Sequence, residues 1–299
     1  MKTLEFDDIW AIMPNRLDRL AGLIGGHLSG ADLSDELQAL DARHGRQKRV
    51  SGSVAILPLR GVMTPREQFY GGTSTDSFGR WFEQAIADPE VGAVVFDVDS
   101  PGGSVYGLSE LTDKIRSARG VKPIIAVSNK LTASAAFHVA SAADTLVIAP
   151  SGEMGCVGTV SMHVDYSKAL EADGVAVTYI HAGKHKVEGN PHQPLPDEAR
   201  EFTQKRVDEY YDSFVGHLAK NRGVTRATVL KDFGQGRVFG AAEAVERGMA
   251  DRVATLEQVL SELGAVGSGK SSPAMSLSLR HMKMKSQDQQ SRMQECPPR

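Results

Sequence analysis

The stretch VGAVVFDVDSPGGSVYGLSELTDKIRSAR, residues 91–119, decides the fold class. Its first nine residues are mostly apolar and valine-rich, the composition of a strand buried on both faces. Ser100 to Gly103 then brings a proline and two glycines, residues that turn a chain. From Val105 onward the apolar residues fall at helical spacing. A buried strand, a tight turn and an amphipathic helix form the repeating unit of a layered α/β protein.

The same unit recurs on either side. Strands are expected at 54–60, 122–129, 145–150, 158–164 and 175–182, and helices at 74–88, 133–143, 165–174, 197–221, 225–233 and 241–247. Alternation of this kind predicts mostly parallel strands between helical layers. The flanks differ. Residues 1–50 read as a helical N-terminal arm, with Ile9, Trp10, Ile12, Met13, Leu17, Leu20 and Leu23 on one irregular helical stripe that Pro14 interrupts or restarts. A second short helix at 32–45 has Ser34 as its N-cap. The α/β domain is expected over 51–263. Residues 264–299, rich in Ser, Gln, Met and Lys, are expected to be a mobile tail.

Composition removes several functions. The net charge of −3, with basic residues bunched only at 43–49 and in the tail, gives no support for nucleic-acid binding. Two cysteines, Cys156 and Cys296, make no disulfide framework and imply a reducing compartment. Acids interrupt the N-terminal stretch where a secretion signal needs apolar residues, and no run approaches the ~20 apolar residues of a membrane span. A soluble protein of the cytoplasm is expected. No pattern calls for a metal or cofactor.

Chemistry concentrates in four segments. In DVDSPGGSVYG (97–107), Gly102 and Gly103 can take positive φ and present N–H groups at the start of a helix, where an oxyanion would be held. In NKLTASAAFHVASAAD (129–144), Ser134 follows a strand and opens a helix among small alanines. It reads either as a helix cap or as a nucleophile. The base is open on spacing alone. His138 lies one turn into the helix and reads as a packed helix histidine. His163, His181 and His185 are further candidates, and so are Lys184 and Lys186 in a loop at 183–189. A lysine held in a dry pocket loses its proton readily and can serve a Ser–Lys pair. SGEMGCVGTVSMHV (151–164) suits a backbone wall along which an extended peptide would pair.

Taken together, these segments resemble the signal peptide peptidase A family of serine peptidases. SPGGS, ASAAFHVASAAD, GCVGTVS, AGKHKVEGNP and GRVFGAAEAVERGMAD stand in that family's order between Ser53 and Leu260. The resemblance implies a Clp protease/crotonase-like fold of stacked ββα units and a Ser–Lys dyad. It implies Ser134 as nucleophile and Lys186 as base, with the Gly103 and Ala135 N–H groups as oxyanion donors. Gly102, Ser104, Val157 and Gly158 would line the substrate groove. Family members bind protein or peptide substrates and form homo-oligomers. This chain departs from the membrane-bound members in carrying Ala135 and Ala136 where they have two glycines. It looks more like the phage branch, whose members process scaffold and portal-associated proteins inside the immature head. Two rivals stand beside this expectation: a crotonase-type acyl-CoA enzyme, and a structural scaffold protein that has lost catalysis.

Overall fold

The computed structural model describes residues 9–28, 54–69 and 71–264. The basic run at 43–49, the helix expected at 32–45, and the tail from 265 onward with Cys296 lie outside the described residues. In chain order the strands are β1 (Trp10–Ile12), β2 (Val54–Arg60), β3 (Met63–Thr64), β4 (Thr73–Ser74), β5 (Ala93–Ser100), β6 (Gly102–Ser104), β7 (Ile124–Ala133), β8 (Thr145–Ile148), β9 (Glu153–Gly155), β10 (Val238–Gly240) and β11 (Arg252–Val253). The helices are α1 (Pro14–Leu28), α2 (Thr75–Ala87), α3 (Leu108–Ser117), α4 (Ala135–Ala140), α5 (Ser167–Ala172), α6 (Asp197–Arg222), α7 (Arg226–Asp232), α8 (Ala241–Glu246) and α9 (Leu256–Glu262).

The larger sheet is mixed and mainly parallel. β2, β5, β7 and β8 run parallel as neighbours, and β9 and β10 extend the sheet beyond the end of β7. The expected α/β architecture is therefore present. Its cause is visible in β5, where successive side chains face opposite layers. Val94, Phe96 and Val98 enter the main core with α2 and α3. Ala93 and Val95 face the other way, towards Val127, Val147 and the α9 residues Val259 and Leu260. Phe96 receives Phe78 and Phe82 edge-on, at ring-centroid distances of 5.1 and 5.9 Å. Burying one such side chain contributes about 1.5–3 kcal/mol.

A smaller sheet has the order β1-β6-β3-β4, and its β6 follows directly on the end of β5. Here the structure departs from the expectations. Residues 10–12 form a strand, not helix, while Pro14 opens α1, the restart that the sequence allowed. Proline disfavours helical geometry in the residue before it and is well placed in a first helical turn, so the helix can only begin there. The Ser-Pro-Gly-Gly turn leads into β6, not directly into a helix. α3 starts only after Gly107, at φ 78°.

Two expected strands do not form. Of residues 158–164, only Val160 pairs, in a single antiparallel bridge with Trp10. Residues 175–182 join no sheet, and Val175, Val177, Tyr179 and Ile180 are exposed. An alternating pattern makes a strand only where a neighbouring edge takes its hydrogen bonds. β7, by contrast, runs four residues further than expected, to Ala133. Ser134 therefore follows directly on a strand.

Candidate active site

β7 changes partners along its length. Its first half pairs with β8, and its end pairs with β9, with Ala133 opposite Gly155. The next residue, Ser134, takes φ 54° and ψ −117° before α4 begins. Only three non-glycine residues have positive φ among the described residues, and Cys156, which follows Gly155, is another at 56°. Such a conformation costs about 1–3 kcal/mol and persists only where the surroundings enforce it. Here the Ser134 amide donates to Gly155 O at 2.8 Å, and Ser134 O accepts from the His138 amide at 2.9 Å. At the far end of α4, the Arg119 guanidinium donates to the carbonyls of Ser141, Ala142 and Ala143 at 2.7–2.9 Å.

The Ser134 side chain does not cap α4. Its hydroxyl donates instead to Gly158 O, at a long 3.3 Å. The helix-cap alternative is thereby set aside. Ser134 is wholly buried. Cys156 lies beside it. Burial pushes the Cys156 thiol pKa up, and the Ser134 hydroxyl acts on it in the opposite sense. The sulfur is thus kept as a neutral thiol.

The two glycines of the turn are fixed by close approach. Gly102 has φ 103°, and a Cβ there would stand 2.9 Å from Ser134 Cβ and 2.2 Å from Ala11 O. A Cβ on Gly103 would stand 1.9 Å from Met63 O. Gly103 thus lies between β1 and β3, opposite Ala11 on one side and Met63 on the other. Ala135 is the first residue of α4, so its amide has no partner within the helix. Ser104 and Val157 are buried, and Gly158 supplies the carbonyl that Ser134 binds. The structure therefore brings Ser134, Gly102 and Gly158 together, with Gly103, Ser104, Ala135 and Val157 beside them in the chain.

None of the candidate bases hydrogen-bonds to the Ser134 hydroxyl, whose partner is Gly158 O, and the His163 Nε2 is buried without a partner among the described residues. His138 is buried, stacked on Phe214 at 4.7 Å, and burial with the neighbouring His217 lowers its pKa to about 3. It is a packed helix histidine, as expected. His181 bonds to Gly183 O, and His185 pairs with Glu188. Lys184 donates to both carboxylate oxygens of Glu198, at 2.8 and 3.0 Å. Lys186 is exposed within the turns at 183–189, and its side chain makes no hydrogen bond or ion pair among the described residues. His185, Glu188 and Glu198 offer donor atoms within 4.8 Å of one another, as a metal site would. Those donors are already paired within the cluster and with Lys184.

Residues 116–267, a span that includes Ser134 and Lys186, match peptidase family S49. The chain belongs to this family, that of signal peptide peptidase A. It is 32% identical to "Capsid assembly protease C" of Escherichia phage lambda, over 78% of this chain and 57% of that protein. It is 33% identical to "Head-tail preconnector protein GP5" of Enterobacteria phage P21, over 76% of this chain and 46% of that protein. "Protease 4" of Haemophilus influenzae is 22% identical over 71% of this chain and 34% of its own length. The chain thus spans about half the length of the phage relatives it matches. No described helix is long and apolar enough to cross a membrane.

Proposed function

We propose that this S49 chain is a serine endopeptidase using a Ser134–Lys186 dyad. The observation that carries the reading is Ser134 itself. It is a strained, non-capping serine at a strand–helix junction, faced by a glycine turn, in a chain of a peptidase family. In the proposed reaction the neutral Lys186 amine takes the proton from Ser134 Oγ as Oγ bonds to a peptide carbonyl carbon. The Gly103 and Ala135 N–H groups hold the oxyanion. The C–N bond then breaks as Lys186 returns the proton to the leaving amine. Water, deprotonated by the same lysine, releases the acyl group and restores Ser134.

Lys186 is exposed in the isolated chain, whereas a neutral lysine base needs a dry site. Its segment must therefore seat against the Ser134 cleft before turnover. Homo-oligomer formation would drive this, because it would also cover Val175, Val177, Tyr179 and Ile180. We further propose that the strands and helices are arranged as Clp protease/crotonase-like stacked ββα units. The domain would span 51–263, with 1–50 as an arm and 264–299 as a tail. The similarity to phage proteins supports protein substrates of head maturation, with scaffold or portal proteins as partners, in the host cytoplasm or procapsid. The family match is to peptidases, which weighs against the acyl-CoA alternative.

The test is intact-mass analysis during incubation with unfolded β-casein, for wild type, Ser134→Ala and Lys186→Ala. Cleavage by wild type and by neither variant is expected, with all three folded by circular dichroism. A Ser134→Ala protein that cleaves as wild type does refutes the nucleophile. An active Lys186→Ala refutes the dyad.

A further inference from the structure

The groove assigned to substrate is already filled. β1 runs antiparallel to β6, with Trp10, Ala11 and Ile12 opposite Ser104, Gly103 and Gly102. On its other side Trp10 exchanges both backbone hydrogen bonds with Val160, each at 2.8 Å. β1 is therefore sandwiched between the glycine turn and the segment after Gly158, the two backbone walls that flank Ser134. An extended peptide substrate would need those same edges.

The register sets Ala11 opposite Gly103. Val105 N donates to Ile9 O at 3.2 Å and Met13 N donates to Pro101 O at 3.1 Å. Both bonds lie two residues from the Ala11/Gly103 pair. Antiparallel ladders alternate with that period, so Ala11 and Gly103 form a hydrogen-bonded pair. The Gly103 N–H, the proposed oxyanion donor, thus faces the Ala11 carbonyl. That carbonyl oxygen and Ser134 Cβ lie 2.2 and 2.9 Å from the single point where a Gly102 Cβ would stand.

We propose that β1 is an intramolecular pseudosubstrate: it holds the substrate groove, with Ala11 in the place of the residue whose carbonyl the serine attacks. This rests on the Ser134 peptidase reading and adds to it both latency and a specificity. A tethered strand competes at an effective concentration in the millimolar range, so dilute substrates are excluded until it leaves. Trp10 and Ile12 anchor it, packed with Leu17 and Leu20 of α1. The Ala11 side chain is 1% exposed within the main core, so the groove accepts a small residue at that place.

The test measures how fast a fluorophosphonate labels Ser134, a reaction in which the Oγ–P bond forms as fluoride leaves. Full-length wild type is compared with Trp10→Ala and Ile12→Ala. Each variant should label at least tenfold faster and cleave β-casein faster. Hydrogen exchange of wild type should show residues 9–13 protected before labelling and exposed after it. Bonds cut by the loosened variants should follow small residues. Equal labelling rates in folded variants, protection of 9–13 that survives labelling, or cuts mainly after large residues would overturn the proposal. If both variants unfold, the exchange measurement decides alone. Ser134→Ala separates the two levels. Cleavage by that variant sinks the peptidase reading and this inference with it. If Ser134→Ala is inert but both loosened variants match wild type, only the role of β1 fails. If β1 is released and no sample labels or cleaves, both fail.

Discussion

The two halves of the proposed dyad sit in opposite physical settings. Ser134 is wholly buried, and the geometry around it leaves little freedom. Its amide, carbonyl and hydroxyl all have partners, and glycines approach where a Cβ cannot fit. Lys186 lies in an exposed run of turns, beside apolar side chains that face solvent. A strained nucleophile can be stored only in a rigid frame. A lysine base needs desolvation, and seating an exposed segment is one way to supply that on demand. In the proposed dyad the nucleophile is already braced, and the base would still have to be seated.

The largest effect should come from the dyad variants. Ser134→Ala and Lys186→Ala should each lower turnover by roughly 10⁴-fold or more, since members of a catalytic unit fail together. The two should still differ in stability. Ser134→Ala alters the braced half, so its Tm should move, whereas Lys186→Ala should leave Tm unchanged. Equal Tm shifts would break the comparison.

Next comes Gly103→Ala. The new methyl would meet Met63 O at 1.9 Å, and backbone cannot yield cheaply there. A loss on the order of 3 kcal/mol is expected from urea unfolding, with activity lost as well. A stable Gly103→Ala would mean that the frame around Ser134 is softer than its contacts imply.

The sequence exposed these two regions unequally. β5 was legible because its side chains alternate between two cores, so each of its residues carries part of the pattern. Ser134 was legible from the strand that precedes it. Its neighbours were not. Cys156 stands beside Ser134 only because β7 swings from β8 to β9, a pairing set by distant chain. β1 is three residues long, too short for any periodicity, and its apolar residues blended into the stripe of α1. Residues 175–182 failed in the reverse sense: the alternation is there, but no described edge pairs with it. The dyad pairing itself came from family resemblance, since 183–189 reads as solvated loop.

A smaller effect tests the frame through pH. His138 extends the α4 turn that begins at Ser134, and its ring is buried against Phe214 and His217, with Asp113 3.7 Å from the His217 ring. Its native pKa of about 3 lies well below the unfolded value near 6.5. Between those values the unfolded chain binds a proton that the folded chain refuses. Stability is therefore present above pH 6.5 and falls with acid, by at most about 1.4 kcal/mol per pH unit. Urea unfolding at pH 7.5 and 5.0 should show a loss of about 2 kcal/mol from this residue, absent in His138→Phe.

The smallest effect is expected at Lys184, and it is informative because it is small. Lys184 is two residues from Lys186 and holds both oxygens of Glu198, so its ammonium is further stabilised and its pKa is raised. A raised pKa is the reverse of what a neutral base requires. The pair is exposed, and solvent screening leaves such contacts with little weight in folding. Lys184→Ala should keep wild-type turnover and an indistinguishable Tm, while Lys186→Ala is inert. If Lys184→Ala were the inert variant instead, the base would be the lysine already held by a carboxylate. The exposed half of the site would then be organised by the His185–Glu188–Glu198 cluster, with release of that ion pair as the activating step.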